Sequence, residues 1–307
     1  MKIHQNITEL IGNTPIVELK SFSNEQKSVR MFGKVEFFNP GGSVKDRLAY
    51  ALIQDALLQK KMTIHTTIIE ASSGNTGIGL AAVGAAMGIK VIIVMPETMS
   101  IERRKIVQAY GAQLVLSEGS KGMTGAIAKA KELLGTVEDA IMLGQFTNAV
   151  NSKMHYQTTG PEIWNDMDGK VDVFVAGVGT SGTITGVAQF LKEHNPEIKV
   201  IAVEPQASPV LSGGTPGPHK LQGIGAGFVP ELFNPSLIDE VLVITDIEAY
   251  DAARKLASQE GILTGISSGA ALSAALKISE REEYQNKNIV VLLPDTGERY
   301  LSTEVYQ

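Results

Sequence analysis

Short β-branched apolar runs alternate along this chain with stretches of helical periodicity. The runs are Thr67 to Glu70, Val91 to Met95, Gln113 to Leu116, Val171 to Ala176, Lys199 to Glu204, Glu240 to Ile244 and Asn288 to Leu293. Most are nearly continuous in apolar character, the pattern of strands buried on both faces. Between them lie helical patterns such as Thr76 to Met87, Ile101 to Tyr110, Gly122 to Leu134 and Tyr250 to Glu260. The alternation predicts an α/β protein with mainly parallel sheets. The strands fall into two groups, before and after about residue 147, which predicts two doubly wound domains with a cleft between them. The Gly/Pro-rich stretch Ser212 to Pro218 reads as a loop inside the second half, not as an interdomain linker.

Composition narrows the class. A chain of 307 residues with 43% hydrophobic content can bury a large core, in one large domain or two medium ones. A formal net charge of −6 argues against a polyanionic partner held by bulk attraction, while leaving room for a local pocket for a small anion. With no cysteine there is no disulfide, thiolate nucleophile or zinc–cysteine site. The five histidines are far apart in sequence and form no HxH or HxxxH pair, so no metal is expected. The N-terminus has no apolar signal region and no stretch approaches transmembrane length, so a soluble cytoplasmic protein is expected.

Five segments carry candidate chemistry. In Asn39 to Arg47, two glycines and Ser43 precede a helical pattern, which puts Lys45 in the first turn of a helix. The helix dipole there disfavours the ammonium form, which suits a Schiff-base lysine. The bland alternative is a solvated lysine. Glu70 to Gly77 follows a strand and opens a helix at the carboxyl edge of a sheet. Its backbone N–H groups and the hydroxyls of Ser72, Ser73 and Thr76 would cradle a carboxylate or phosphate, or its Ser and Asn would merely cap the helix. Gly177 to Gly182 satisfies G-x-G-x-x-G between a strand and a helix, with Glu204 ending the next strand. That spacing admits a dinucleotide-binding unit with Glu204 as its ribose acid, although Pro205 follows directly. Thr264 to Ala271 reads by itself as a helix start, and Leu293 to Tyr300 as a structural terminus. Taken together, the lysine and the two anion cradles suit pyridoxal phosphate with an amino-acid substrate, whereas a dinucleotide leaves Lys45 and the Ser72 loop without a role.

These residues resemble the cysteine synthase (O-acetylserine sulfhydrylase) family of fold-type II pyridoxal-phosphate enzymes, tryptophan synthase β-like in fold. The resemblance covers nearly the whole chain. It runs through Leu10 to Pro15, Asn39 to Arg47, Ser73 to Gly77, Met95 to Lys105, the Gly179 loop, His219 to Phe228, Gly265 to Ala271 and Gly297 to Thr303. It implies an N-terminal domain of residues 35–146 with a substrate-closing segment at about 90–135, a larger domain of residues 1–34 plus 147–307, and an active site in the cleft between them.

The resemblance also implies roles. Lys45 would hold pyridoxal 5′-phosphate as a covalent aldimine and then act as the catalytic base. Asn75 would bond the cofactor's 3′ oxygen, Gly179, Thr180, Ser181, Gly182 and Thr183 its phosphate, and Ser267 its pyridine nitrogen. Ser72, Ser73, Gly74, Thr76 and Gln145 would hold the substrate carboxylate, with Gly227 near its amine. The family usually has Thr at position 72 and Gly at position 181; the extra hydroxyl of Ser181 is expected to donate one more bond to the phosphate. The implied reaction is β-replacement, O-acetyl-L-serine with sulfide giving L-cysteine and acetate. Alternatives are a cystathionine β-synthase or serine sulfhydrylase, a cysteine-consuming producer of hydrogen sulfide, and, in another class, an NAD-binding dehydrogenase. The resemblance further implies a homodimer and, in some members, binding of the C-terminal tail of serine acetyltransferase.

Overall fold

The computed structural model describes residues 3–307. Among them are ten strands: β1 (Ile16–Glu18), β2 (Arg30–Val35), β3 (Thr67–Ala71), β4 (Val91–Pro96), β5 (Gln113–Ser117), β6 (Ala140–Ile141), β7 (Val173–Gly177), β8 (Lys199–Pro205), β9 (Glu240–Ile244) and β10 (Asn288–Leu293). The α-helices among the described residues are α1 (Lys45–Leu58), α2 (Asn75–Met87), α3 (Ile101–Ala109), α4 (Gly122–Leu134), α5 (Val150–Gln157), α6 (Thr159–Asp166), α7 (Gly182–His194), α8 (Asp246–Glu260) and α9 (Ile266–Ser279).

The chain divides into two units. One comprises residues 3–11 and Asn39–Val150, the other Gly12–Phe38 and Asn151–Gln307. The expected division differs at its edges, because it placed residues 1–34 with the larger domain. Residues 3–11 group instead with the first unit, where the Asn6 side-chain amide donates to the carbonyl of Ala86 on α2 at 2.9 Å. Met1 and Lys2 lie outside the described residues.

In the first unit four parallel strands run in the order β5-β4-β3-β6. Central β3 and β4 are buried along their whole length, whereas edge strand β5 is mostly exposed or half-buried. Continuous apolar character marks the two strands that are covered on both faces. Ile69, Ala71, Ile92 and Val94 pack one face of the sheet against Ala126 and Ala130 of α4. The chain winds from β3 outward through β4 to β5, then returns to β6 on the other flank of β3. The strand order therefore reverses at β3.

The second unit is built on a six-stranded sheet of order β1-β2-β10-β7-β8-β9, parallel except for β1. One face is covered by α8 and α9 through residues such as Leu256, Ile266, Leu272 and Ile278. The other is covered by Ile163 of α6 and Ile184, Val187 and Leu191 of α7. Helices on both faces of a mainly parallel sheet make the doubly wound arrangement that the hydrophobic pattern predicts. Helix α8 shows how local sequence sets its ends. Thr245 and Glu248 form a reciprocal capping box, and Gly261 closes the helix in the left-handed region. Here the order reverses at β7, which β8 and β10 flank.

All seven strands expected from the pattern are present. The expected Val171 start moves to Val173, and Asp172 just before it accepts the N–H of Asn288 (2.8 Å) and Lys287 Nζ (3.0 Å) on its carboxylate. Strand β2 carries the charges Arg30 and Lys34 and so lacks an apolar run, yet it pairs with both β1 and β10.

Candidate functional site

In α/β sheets, ligands bind beyond the carboxyl ends of strands where the order reverses. The two glycine-containing loops singled out in the sequence follow those strands, Ser72 to Gly74 after β3 and Val178 to Ser181 after β7.

The first unit holds Lys45 and the Ser72 loop. Lys45 is the first residue of α1, half-buried, and its N–H donates to Ser43 Oγ at 3.2 Å. The preceding loop is tied back by Asp46, whose buried carboxylate accepts the Gly41 N–H. Helix α2 packs closely on this turn. A Cβ at Gly79 would stand 2.9 Å from the Lys45 carbonyl oxygen and 3.1 Å from Ala49 Cβ, so only glycine allows the approach.

Ser72 is buried, and its Oγ accepts from the N–H groups of Gly77 (2.9 Å) and Gly74 (3.3 Å). Its hydroxyl thus satisfies donors at the start of α2 in the manner of a cap. Ser73 and Gly74 are half-exposed, and the Ser73 carbonyl accepts from Arg103 of α3 at 3.4 Å. Asn75 opens α2. Thr76 donates to Gln145 Oε1 at 2.7 Å, and Gln145 Nε2 donates to the Ala71 carbonyl at 3.4 Å. The fold therefore brings together Ser72, Thr76 and Gln145, although Gln145 lies far along the chain from the other two.

The second unit holds the Gly179 loop, Gly227 and Ser267. Ser181, the N-cap residue of α7, makes no side-chain capping bond to the first turn of that helix. Thr180, Ser181 and Thr183 are all buried. Ser181 sits at φ +64° and donates its hydroxyl to the Thr180 carbonyl at 2.7 Å. The resemblance expects this hydroxyl to donate to a phosphate; in this structure it donates to the adjacent carbonyl. Helix α5 backs the loop. Asn151 Nδ2 donates to Thr180 Oγ1 at 2.9 Å, and buried His155 lies between Thr159 Oγ1 (2.8 Å) and Thr183 Oγ1 (3.1 Å). A Cβ at Gly182 would collide with the Asn151 side chain at 1.9 Å. Sequence reading missed Asn151 and His155, because nothing local marks them.

Ser267 is the second residue of α9, almost fully buried, and no side chain caps that helix. Its Oγ lies 3.6 Å from the position of a Cβ on Gly223, a glycine at φ +96° in the loop that also carries Gly227 at φ +80°. The segment after β10 is structural. Tyr300 donates to the buried carboxylate of Asp295, and the Thr264 hydroxyl and Gly265 N–H both donate to the Asp295 carbonyl.

Glu204 does not serve as a ribose acid. Its buried carboxylate accepts the N–H groups of Leu211 (2.8 Å) and Ser212 (2.9 Å) and the Ser212 hydroxyl (2.6 Å). Among the described residues no group of three or more acidic or histidine side chains is arranged to hold a metal ion, and no helix is long and apolar enough to cross a membrane.

Comparison with known proteins gives the family of this chain. A family model described as pyridoxal-phosphate dependent enzyme matches residues 7–295. Cysteine synthase A of Escherichia coli (strain K12) is 50% identical over 314 residues, covering 99% of this chain and 96% of that protein. A cysteine synthase of Staphylococcus aureus (strain Mu50) is 50% identical over 305 residues, 98% of this chain and 96% of that protein. The crystal structure of a cysteine synthase (OASS) from Entamoeba histolytica superposes with a TM-score of 0.96 at 45% identity, covering 99% of this chain and 91% of that one.

Proposed function

The chain belongs to the pyridoxal-phosphate dependent enzymes, and from that premise we propose that it is a cysteine synthase, replacing the acetate of O-acetyl-L-serine by sulfide to give L-cysteine. The observation that carries the reading is the Thr76–Gln145 pair beside the Ser72 loop, polar groups gathered at a strand end for a small carboxylate.

The residues present fit pyridoxal phosphate. An uncapped helix N-terminus with buried threonine hydroxyls suits a phosphate dianion. A lysine opening a helix suits a cofactor aldehyde. When bound, the cofactor supplies an electron sink for the charge left at the substrate Cα.

This chain's own residues then divide the work. Residues Gly179 to Thr183 would hold the phosphate, Asn75 the 3′ oxygen and Ser267 the pyridine nitrogen. The Ser267 hydroxyl is neutral, so it does not hold that nitrogen protonated as a carboxylate would. Ser73, Thr76 and Gln145, with backbone N–H groups of the Ser72 loop, orient the substrate carboxylate. Gly227 leaves room beside the substrate amine. Lys45 would be the residue that carries the cofactor, and its Nζ, once free, would take the Cα proton. Acetate would then leave from Cβ, hydrosulfide would bond to the same carbon, and Lys45 would return its proton to Cα to complete L-cysteine. A cytoplasmic homodimer is part of the same proposal.

The test is spectroscopic and chemical. Purified protein is expected to be yellow, and borohydride is expected to fix the chromophore to the peptide containing Lys45, but not to Lys45→Ala. Product analysis then offers O-acetylserine, serine or cysteine with sulfide or homocysteine. A colourless protein that binds NAD sinks the reading, and preference for serine with homocysteine moves it to cystathionine synthesis.

A further inference from the structure

Glu70 is a buried carboxylate for which the proposed chemistry has no use. It lies one residue before the end of β3, only 3% exposed. The ladder between β3 and β6 stops at Ile68 and Ile141. Beyond that point Glu70 takes over from the strand. Its Oε2 accepts the N–H of Leu143 at 3.0 Å and of Gly144 at 3.3 Å. Two backbone N–H groups on one carboxylate oxygen fix a turn in which Gly144 adopts φ +72°. The next residue is Gln145, whose side chain is buried between the Ala71 carbonyl and the Thr76 hydroxyl. Glu70 and Ala71 are adjacent on β3, so one strand end holds both the backbone and the side chain of the Gln145 segment.

We propose that Glu70 is a positioning residue for the amino-acid substrate. By anchoring the Leu143 and Gly144 N–H groups it aims the Gln145 amide at Thr76, and so sets affinity for the substrate carboxylate without touching it. This rests on the reading that Thr76 and Gln145 hold that carboxylate. Without Glu70 two buried N–H groups lose their acceptor, and the turn must rearrange to find others. A shift of that turn moves the Gln145 amide directly.

The experiment uses the cofactor-loaded protein and the variants Glu70→Ala, Glu70→Gln and Gln145→Ala. L-Alanine, an amino acid with no β-leaving group, is titrated by the change in visible absorbance. Hydrogen exchange is followed by mass spectrometry on a peptide spanning residues 141–149. Glu70→Ala is expected to weaken L-alanine binding by roughly tenfold or more, given how steeply a misplaced positioning group costs. It should raise KM for O-acetylserine in parallel, leave KM for sulfide unchanged and speed exchange in the peptide. Glu70→Gln keeps one acceptor oxygen, so it should recover part of each change and also covers the case in which Glu70→Ala fails to fold. Unchanged L-alanine binding in both Glu70 variants, with Gln145→Ala weakened, overturns the positioning role alone. Unchanged binding in Gln145→Ala overturns the carboxylate reading and this inference with it.

Discussion

The Ser181 hydroxyl donates to the carbonyl of Thr180 at 2.7 Å from a backbone held at φ +64°. A non-glycine residue in this region carries a cost of about 1–2 kcal/mol, which the short hydrogen bond partly offsets. Ser181→Ala keeps the backbone cost and removes the bond, so it should destabilise the protein by about 1 kcal/mol. Ser181→Gly removes both. Denaturant titration should therefore find the glycine variant more stable than the alanine variant. Because the hydroxyl already serves Thr180, both variants should retain pyridoxal phosphate.

Burial raises the carboxyl pKa of Glu70, opposed by the N–H groups of Leu143, Gly144 and Gln145. No cation pairs with it among the described residues. A raised folded-state value means that the folded protein holds this proton more tightly than the unfolded chain does. The associated stability is fully present below the ordinary glutamate value of 4.5 and is lost as pH rises through the raised value. Glutamine has no proton to lose. The stability of the parent relative to Glu70→Gln should therefore fall as pH is raised from below 4.5 toward neutrality, as measured by denaturant unfolding at a series of pH values.

Lys34 is wholly buried in β2, with Nζ 3.0 Å from Glu162, 3.2 Å from Asp166 and donating to the Thr14 carbonyl at 2.6 Å. Truncation leaves carboxylates facing a cavity. Lys34→Ala should lower stability by about 3–5 kcal/mol, and Lys34→Met by less, because it refills the volume. Equal losses in the two variants would assign the whole effect to charge.

Gly182 opens α7 against Asn151, whose Oδ1 a new Cβ would approach to 1.9 Å. Asn151 also orients the Thr180 hydroxyl. Gly182→Ala should cost about 1–3 kcal/mol by overpacking and should weaken retention of the cofactor on dialysis. Gly88→Ala, with nothing within 4 Å of its Cβ position but φ +69°, should lose stability without releasing cofactor.

The chain by itself determined what local chemistry determines. Continuous apolar runs marked the strands buried on both faces, and the glycines with their neighbouring hydroxyls marked the loops that open α2 and α7. Lys45 was legible as the start of a helix because the residues that end the preceding loop are its neighbours in sequence. Only the tertiary structure decided the strand order that places those loops at β3 and β7, where each sheet reverses. It also drew β2 into a sheet despite Lys34, by supplying Glu162 and Asp166 as partners from another part of the chain. The same reason runs through the site. Ser181 and Glu204 each had hydrogen-bonding capacity that the sequence left open, and the folded backbone used it at Thr180 and at residues 211–212. Glu70 meets Leu143 and Gly144 across more than seventy residues. Such a contact depends on where two strands lie side by side, and no local pattern records it.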